Sequence, residues 1–463
     1  MSDLTVEATA IPGLLVLRLP VHADARGWFK ENWQRAKMTE LGLPDFGPVQ
    51  HNVSFNTARG ATRGVHTEPW DKLVSVVTGR VFAAWVDMRA GESFGRTFHI
   101  ELDPGVSVFV PRGVGNSYQT LEDATAYSYL VNDHWRPGIS YPALALDDPT
   151  VAIPWPIPLA DAEISEKDRR NPRLEQVEPV PPPRTLIIGN RGQLGRALSA
   201  LYPDAEGVDL DELDVSDPAQ VAAWPWAELE VVLNAAAFTA VDAAETPEGR
   251  RAAWAANASA PAALARAAVE HGFTLVHYSS DYVFDGVTDP HAEDEPLSPL
   301  GVYGQTKAAG DLAVSIAPRH YLLRTSWVVG EGKNFVRTMR QLALDGVSPT
   351  VVADQVGRLT FTTELARATR HLLDSSAAFG TYHVSNAGEP ASWAQLAKRV
   401  FELSGRAADD VTESSTAAWA EGKDAISPRP ERSTLDLAKI IATGFEPRDQ
   451  WAALEEYVAT LGG

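Results

Sequence analysis

Two folds in one chain are predicted: an all-β barrel of the sandwich or jelly-roll kind, then an α/β doubly wound parallel sheet with a small substrate-binding subdomain. Three observations predict them. The first is length, since 463 residues exceed what one ordinary hydrophobic core serves. The second is a change of texture near residue 180, from short apolar runs between turns to apolar runs alternating with helical stretches. The third is the segment between, where Pro179, Pro181, Pro182 and Pro183 favour an extended, semi-rigid spacer. The expected divisions are 1–177, a linker over 178–183, and 184–463.

In the first part the runs LVSVVTG, RVFAAWVDMR, RTFHIEL, VSVFVPRG and AYSYLVND read as strands, joined by connectors rich in Gly, Asp and Pro. Phe82 and Trp85 are expected to fill the core they enclose. In the second part TLIIG, VVLNAAA, TLVHYSS and YLLRTSWVV are separated by Ala-rich stretches such as ASAPAALARAAVEHG. Strand, helix, strand in that order implies a parallel sheet wrapped by helices.

Composition narrows the function. Apolar content of 44% and charged content of 22% are those of a globular protein. A net charge of -21 argues against nucleic acid or an anionic membrane as partner, since both need a basic face. With no cysteine there is no disulfide framework, thiol nucleophile or cysteine metal site. The opening MSDLTVEATAIPG lacks a charged leader followed by an apolar core, and no apolar run approaches ~20 residues, so a cytoplasmic protein is expected.

Two constellations carry chemistry. GNRGQLG spaces Gly189, Gly192 and Gly195 between a strand and a helix, where a backbone free of side chains lets a pyrophosphate approach the helix N-terminus. Tyr303 and Lys307 stand one helical turn apart in YGQTKAAG, so a Lys ammonium near the phenol is expected to lower its pKa. Ser280, in SSDYVFDG, falls at the C-terminal end of a strand, where a hydroxyl meets a substrate carbonyl. Arg191 inside the glycine loop favours NADPH through a 2′-phosphate. Asp209, about 20 residues past the first glycine, favours NADH instead. The balance leans to NADPH. In the first part, RGWFKE and RGVH supply the polar content, with His66 set among Arg63, Lys72, Tyr129 and Asp168. Inverting a centre beside a ketone takes a base near neutrality, a cation for the enolate oxygen and an acid on the opposite face. His, Lys and Tyr supply those roles, and a carboxylate behind the His fixes its tautomer.

Residues 184 to about 460 resemble the dTDP-4-dehydrorhamnose reductases, extended short-chain dehydrogenase/reductases of Rossmann type. GNRGQLG, VVLNAAAFTAVDAAE, SSDYVFDG, YGQTKAAGD, RTSWVVGEGKNFVRTM, DQVGRLT and GTYHVSNAGEPASWAQLA carry the resemblance. It implies hydride transfer to the C4 ketone of a nucleotide-linked 6-deoxyhexose, with Tyr303 as proton donor, Lys307 on the ribose and Ser280 on the ketone. It implies cofactor contacts from Gly189, Arg191, Gly192, Gln193, Leu194, Gly195, Asp214, Ala235, Ala236, Tyr303 and Lys307. Asn334 and Phe335 would approach the sugar nucleotide, and the family admits Mg²⁺ at an interface. Ser279-Ser280 replaces the more frequent Ser-Thr, and Leu359-Thr360 the usual Pro-Thr.

Residues from about 5 to 177 resemble the dTDP-4-dehydrorhamnose 3,5-epimerases, cupin-type barrels. DARGWFKE, HNVSFNTARGATRGVH, DKLVSVVTGRVFAAWVDMR, FVPRG, IPWP and ISEKD carry that resemblance. It implies His66 as base with Asp168 as its partner, Lys72 as enolate stabiliser and Tyr129 as opposite-face acid. Arg26 and Arg63 would contact the nucleotide, and Phe29 and Glu31 would line the site. Three positions depart: Asn116 stands where the family has a His, Thr67-Glu68 where it prefers an aromatic and Gln, and Trp135 where a Tyr stacks on the base. Both resemblances imply a homodimer. Together they imply an enzyme that epimerises dTDP-4-dehydro-6-deoxyglucose at C3 and C5 and then reduces C4 with NADPH or NADH. Alternatives are a UDP-linked or singly epimerised sugar, and a barrel that only binds or dimerises.

Overall fold

The structure is a computed structural model that describes residues 4–44, 46–134, 141–182, 184–226, 229–375, 377–423 and 426–461. The chain divides into two compact units, Met1–Pro182 and Pro183–Gly463.

The first unit opens with β1 (Thr5–Ala8), β2 (Leu15–Arg18), β3 (Val21–Asp24), β4 (Gly27–Lys30), β5 (Gln50–Asn56), β6 (Ala61–His66) and β7 (Lys72–Thr78). There follow β8 (Val81–Asp87), β9 (Thr97–Leu102), β10 (Val106–Val110), β11 (Val114–Thr120), β12 (Thr125–Val131) and the short β13 (Glu163–Ile164). One sheet runs β1-β2-β10-β7-β12-β5 and the other β13-β6-β11-β8-β9, with β3 and β4 apart as a hairpin. The inner faces meet in a core of Val74, Val76, Val108, Ala83, Trp85 and Tyr118. Trp85 is fully buried, as expected from its run. Truncating a side chain of that size in a packed core costs about 3–5 kcal/mol.

Two irregularities in this sandwich place chemistry. The register between β11 and β6 shifts between Asn116 and Tyr118, a bulge of the kind that re-aims side chains. Gly64 sits opposite it at φ 118°, and a Cβ there would meet the Ser117 Cβ at 2.6 Å and the Asn116 carbonyl at 2.7 Å, so only glycine fits. The other is β5. It alternates, but with polar Asn52, Ser54 and Asn56 turned inward and apolar Val53 and Phe55, each 60% exposed, turned out. A strand that faces a solvated, polar interior reverses the usual pattern.

The second unit is built on β14 (Arg184–Ile188), β15 (Glu206–Val208), β16 (Leu229–Asn234), β17 (Thr274–Ser280), β18 (His320–Thr325) and the strand Gly380–His383. They pair in parallel in the order β15-β14-β16-β17-β18 and then Gly380–His383. Alternate residues enter opposite cores. Leu186, Ile188, Val232 and Leu275 pack on one face, and Ile187, Leu233 and Val276 on the other. Helices therefore cover both faces, the doubly wound arrangement. The strand order reverses beside β14, which puts a crevice at its carboxyl end. A further core around Val336, Met339, Leu396 and Phe401 belongs to the smaller subdomain. There Trp327 stacks on Trp393 at 3.8 Å with Phe335 against it.

Candidate active sites

In the first unit the parallel pairing of β13 with β6 brings the segment that follows, and Asp168, alongside the RGVH strand. His66, the last residue of β6, donates from Nε2 to Asp168 Oδ1 over 2.7 Å. Asp168 is buried; burial works to raise its pKa, but hydrogen bonds from His66, the Gly64 N–H and Ser165 outweigh it and hold the carboxyl below its usual value. The carboxylate so fixed keeps the proton on Nε2 and leaves the Nδ1 lone pair as the basic position.

Lys72, at the start of β7, is 4% exposed and donates to Glu68, and its Nζ lies 5.7 Å from the centre of the Tyr129 ring. Burial, then Glu68, raises the Tyr129 pKa, and Arg63 works the other way. Tyr129 is thus a neutral, proton-bearing phenol between a cation and a carboxylate. Asn116 stands opposite His66 across β11 and β6, and its Oδ1 accepts from the Tyr127 hydroxyl at 3.1 Å. Arg63 donates to Asn56 Oδ1 at 3.0 Å. Contacts thus run from His66 across the strands to Asn116, through Tyr127 to the Tyr129 ring 6.3 Å away, and from Tyr129 to Lys72 and to the charge of Arg63.

The hairpin residues do not join them. Arg26 is bound to Asp24 and Glu31 to Lys37, while Phe29 is 69% exposed. The rest of the hairpin is exposed too, apart from Lys30 at its end, which donates to Val76 O at 2.9 Å. Trp135 lies outside the described residues. Glu68 was missed as a site residue, although its place two residues after His66 and four before Lys72 was a usable signal.

In the second unit the glycine turn is built by close approach. Gly189 has φ 77°, and a Cβ there would meet the Ala236 amide nitrogen at 2.8 Å; one on Gly195 would meet the Gly189 carbonyl oxygen at 2.1 Å. Gly192 caps the helix Gln193–Leu201, whose free N–H groups face the same crevice. Ala235, whose N–H donates to Ile188 O, and Ala236 form the opposite lip. Gln193 accepts from the Gly330 N–H at 3.0 Å, and Leu194 packs inward. This cradle fits a dinucleotide pyrophosphate. Asp214, by contrast, closes a local turn through Ser216 at 2.6 Å. Arg191 is clasped by Asp211 and Glu212, and its N–H donates to Asp209 at 3.1 Å.

Ser280 ends β17, as expected, and Tyr303 and Lys307 lie on the helix Val302–Val314. The expected lowering of the Tyr303 pKa is overturned: burial, and then the charge of Asp281, push it up to about 12, with Ser280 countering. Lys307 is 1% exposed, donates to the Tyr278 carbonyl at 2.6 Å, and burial brings its pKa down to about 8. Desolvation outweighs the ammonium that one helical turn of spacing promised. Asn334 caps the helix Phe335–Leu344, and its amide also donates to Gly330 O and the Tyr457 hydroxyl, so its hydrogen bonds go to the fold. Asp281 and the buried Asp311–Arg324 pair at 2.9 Å were missed, though both acids stand inside motifs read for other residues.

Among the described residues no cluster of three His, Asp or Glu side chains is arranged to hold a metal ion, so Mg²⁺ gains no ligand set. No helix among them is long and apolar enough to cross a membrane.

The family described as dTDP-4-dehydrorhamnose 3,5-epimerase matches residues 8–176, and the family described as RmlD substrate binding domain matches residues 183–462. A Streptococcus pyogenes protein named Protein RmlC homolog is 45% identical over 183 residues, 38% of this chain and 92% of its own. A dTDP-4-dehydrorhamnose reductase from Streptomyces griseus is 39% identical over 302 residues, 62% of this chain and 97% of its own. A solved dTDP-4-dehydrorhamnose reductase from Bacillus anthracis, in complex with NADP, is 31% identical with a TM-score of 0.55, covering 60% of this chain and 99% of that one.

Proposed function

The chain belongs to the dTDP-4-dehydrorhamnose 3,5-epimerase family over residues 8–176 and to the RmlD family over residues 183–462, and from that premise we propose how its residues divide the work. It is a fused epimerase and reductase with both activities, of the kind that makes dTDP-L-rhamnose.

In the epimerase unit His66 Nδ1 takes the proton beside the ketone, Asp168 holds the imidazole, Lys72 faces the enolate oxygen, and Tyr129 returns a proton on the other face. The His66–Asp168 hydrogen bond at 2.7 Å, together with the Lys72 ammonium 5.7 Å from the Tyr129 ring, supports this assignment most. Asn116 in the place of a His favours one second reading, epimerisation at a single centre. Incubating the protein with dTDP-4-dehydro-6-deoxyglucose in heavy water, without reduced cofactor, separates the two. Deuterium at C3 and C5 is the expected result. Deuterium at one carbon establishes the second reading, and deuterium at neither leaves the barrel a binding module.

In the reductase unit the bound reduced nicotinamide supplies the hydride. Tyr303, protonated up to about pH 12, gives its proton to the C4 oxygen, Ser280 orients the ketone, and Lys307 holds the ribose. The pyrophosphate rests on the Gly189–Gly195 turn. NADPH is the donor favoured here, with Arg191 leaving Asp211 and Glu212 for the 2′-phosphate. A dTDP rather than a UDP sugar is the substrate, and the enzyme works in the cytoplasm.

The partner is a second copy of the chain. Among the described residues β5 lies at the edge of its sheet with Val53 and Phe55 turned outward, and Trp28 and Phe29 on the hairpin are exposed as well. An apolar edge of this kind is a template for pairing. Arg26, Phe29 and Glu31 then reach substrate across such a pairing.

A further inference from the structure

We infer that Asp281 is a positioning residue that decides whether Ser280 is free to donate its one hydrogen to the substrate ketone. The inference rests on the reductase reading above.

The Ser280 hydroxyl donates to Asp281 Oδ1 at 2.9 Å and accepts from the Tyr282 N–H at 3.2 Å. Asp281 is 3% exposed, and its Oδ2 lies by the Ser433 hydroxyl without a hydrogen bond of ordinary geometry. An ionised carboxylate only accepts, and hydrogen bonds to it are about twice as strong as neutral ones. While Asp281 is ionised, therefore, the Ser280 hydrogen is held away from the ketone and from Tyr303. A protonated Asp281 donates instead. Ser280 then accepts from the carboxyl and its own hydrogen turns to the ketone.

The surroundings bring the Asp281 equilibrium up toward neutrality, so that both forms are populated around pH 6 and the ionised form prevails by pH 8. Burial raises the Asp281 pKa to about 6, against the nearby Ser433 hydroxyl, the Ser280 hydrogen bond and the charge of His291. On its own segment are Ser280 and Tyr282, and Tyr282 faces Arg429 and Asp242. Tyr303 comes from the helix Val302–Val314, whose Asp311 is bound to Arg324. His291 is bound to Glu295 and stacked on Phe284 at 4.5 Å. No Lys or Arg among the described residues forms an ion pair with Asp281, and the negative pyrophosphate and sugar nucleotide add to the pressure toward the neutral acid.

The test uses the full chain, with the ketosugar epimerised beforehand by an excess of a separate epimerase, and follows NADPH oxidation from pH 5 to 9. The wild-type kcat is expected to fall about ten-fold or more as pH rises from 6 to 8, while KM for NADPH stays constant. Asp281→Asn, which presents an N–H to Ser280 at every pH, should lose that fall, and so should Ser280→Ala at its lower rate. A wild-type kcat that is flat from pH 6 to 8 overturns the inference even if the Asn variant does not fold. So does an Asp281→Asn profile that falls as the wild type does. A wild-type chain that reduces the ketosugar at no pH overturns the reductase reading, and this inference with it.

Discussion

Asp281 also makes a prediction about stability that does not depend on catalysis. Its folded pKa of about 6 lies above its ordinary carboxyl value of 3.8, so the folded state binds the proton more tightly than the unfolded chain. The stabilisation from that proton is complete below pH 3.8 and is lost as pH rises through about 6. A shift of roughly two units corresponds to on the order of 3 kcal/mol. Asp281→Asn should therefore melt higher than the wild type at pH 7.5, with the gap closing toward pH 4. Equal melting curves at pH 7.5 would show that Asp281 carries no such burden. Arg191 supports a second prediction at this scale. Its guanidinium is 57% exposed and its partners Asp211 and Glu212 are 65% and 48% exposed, so those pairs are weak and exchangeable. A phosphate offers a bidentate, more strongly charged acceptor. Arg191→Ala should raise KM for NADPH several-fold and leave KM for NADH nearly unchanged; a parallel rise in both would remove Arg191 from cofactor choice. Residue types and spacings were enough to single out His66, Lys72, Ser280, Tyr303 and Lys307, because chemistry constrains identity. The reversal at Tyr303 was not legible, because it comes first from burial in the folded unit and then from Asp281, 22 positions away in sequence.

Strands with continuous apolar runs, such as Val81–Asp87 and Thr274–Ser280, were readable because burial on both faces leaves no other composition. β11 was not read as a strand. Its VGNSYQT holds Gly115 and Asn116, poor strand formers, and it is set in place by pairing with β8 and β6 on either side. β15, three residues long, gave no pattern to find. β5 is the element with the most to test. Its Asn52, Ser54 and Asn56 are turned inward, where Asn56 meets Arg63, so substitutions on the outward face should spare the epimerase residues. Val53→Lys with Phe55→Lys places two like charges on the outer face of the edge strand, a known barrier to strand addition. Sedimentation should show a dimeric wild type and a monomeric double variant that melts within a few degrees of it. A monomeric wild type, or a double variant that still dimerises, rules this edge out as the interface.

At the scale of the whole molecule, the question is what the proline spacer accomplishes. The two units recognise consecutive forms of one nucleotide sugar, and the product of the first is the substrate of the second. A tether gives the second site an effective concentration of the first that dilution cannot lower, about millimolar for a short linker. Within the first unit Val180 is already bound, its N–H donating to Met88 O and its carbonyl accepting from the Ala90 N–H, each at 2.7 Å, so much of the proline segment belongs to that unit. If the intermediate passes through solution, tethering changes nothing once both enzymes are present at equal concentration, because a small molecule diffuses far faster than it is reduced. If it is captured before it escapes, the fused chain forms product without a lag, and the lag for the separated units grows as they are diluted. Units 1–182 and 183–463 expressed apart, mixed at equal concentration and followed by NADPH oxidation at falling enzyme concentration, distinguish these cases. The expectation is a lag for the mixture that lengthens with dilution and none for the fused chain. Identical progress curves at every dilution would mean that the fusion serves matched synthesis of the two enzymes and not transfer between them.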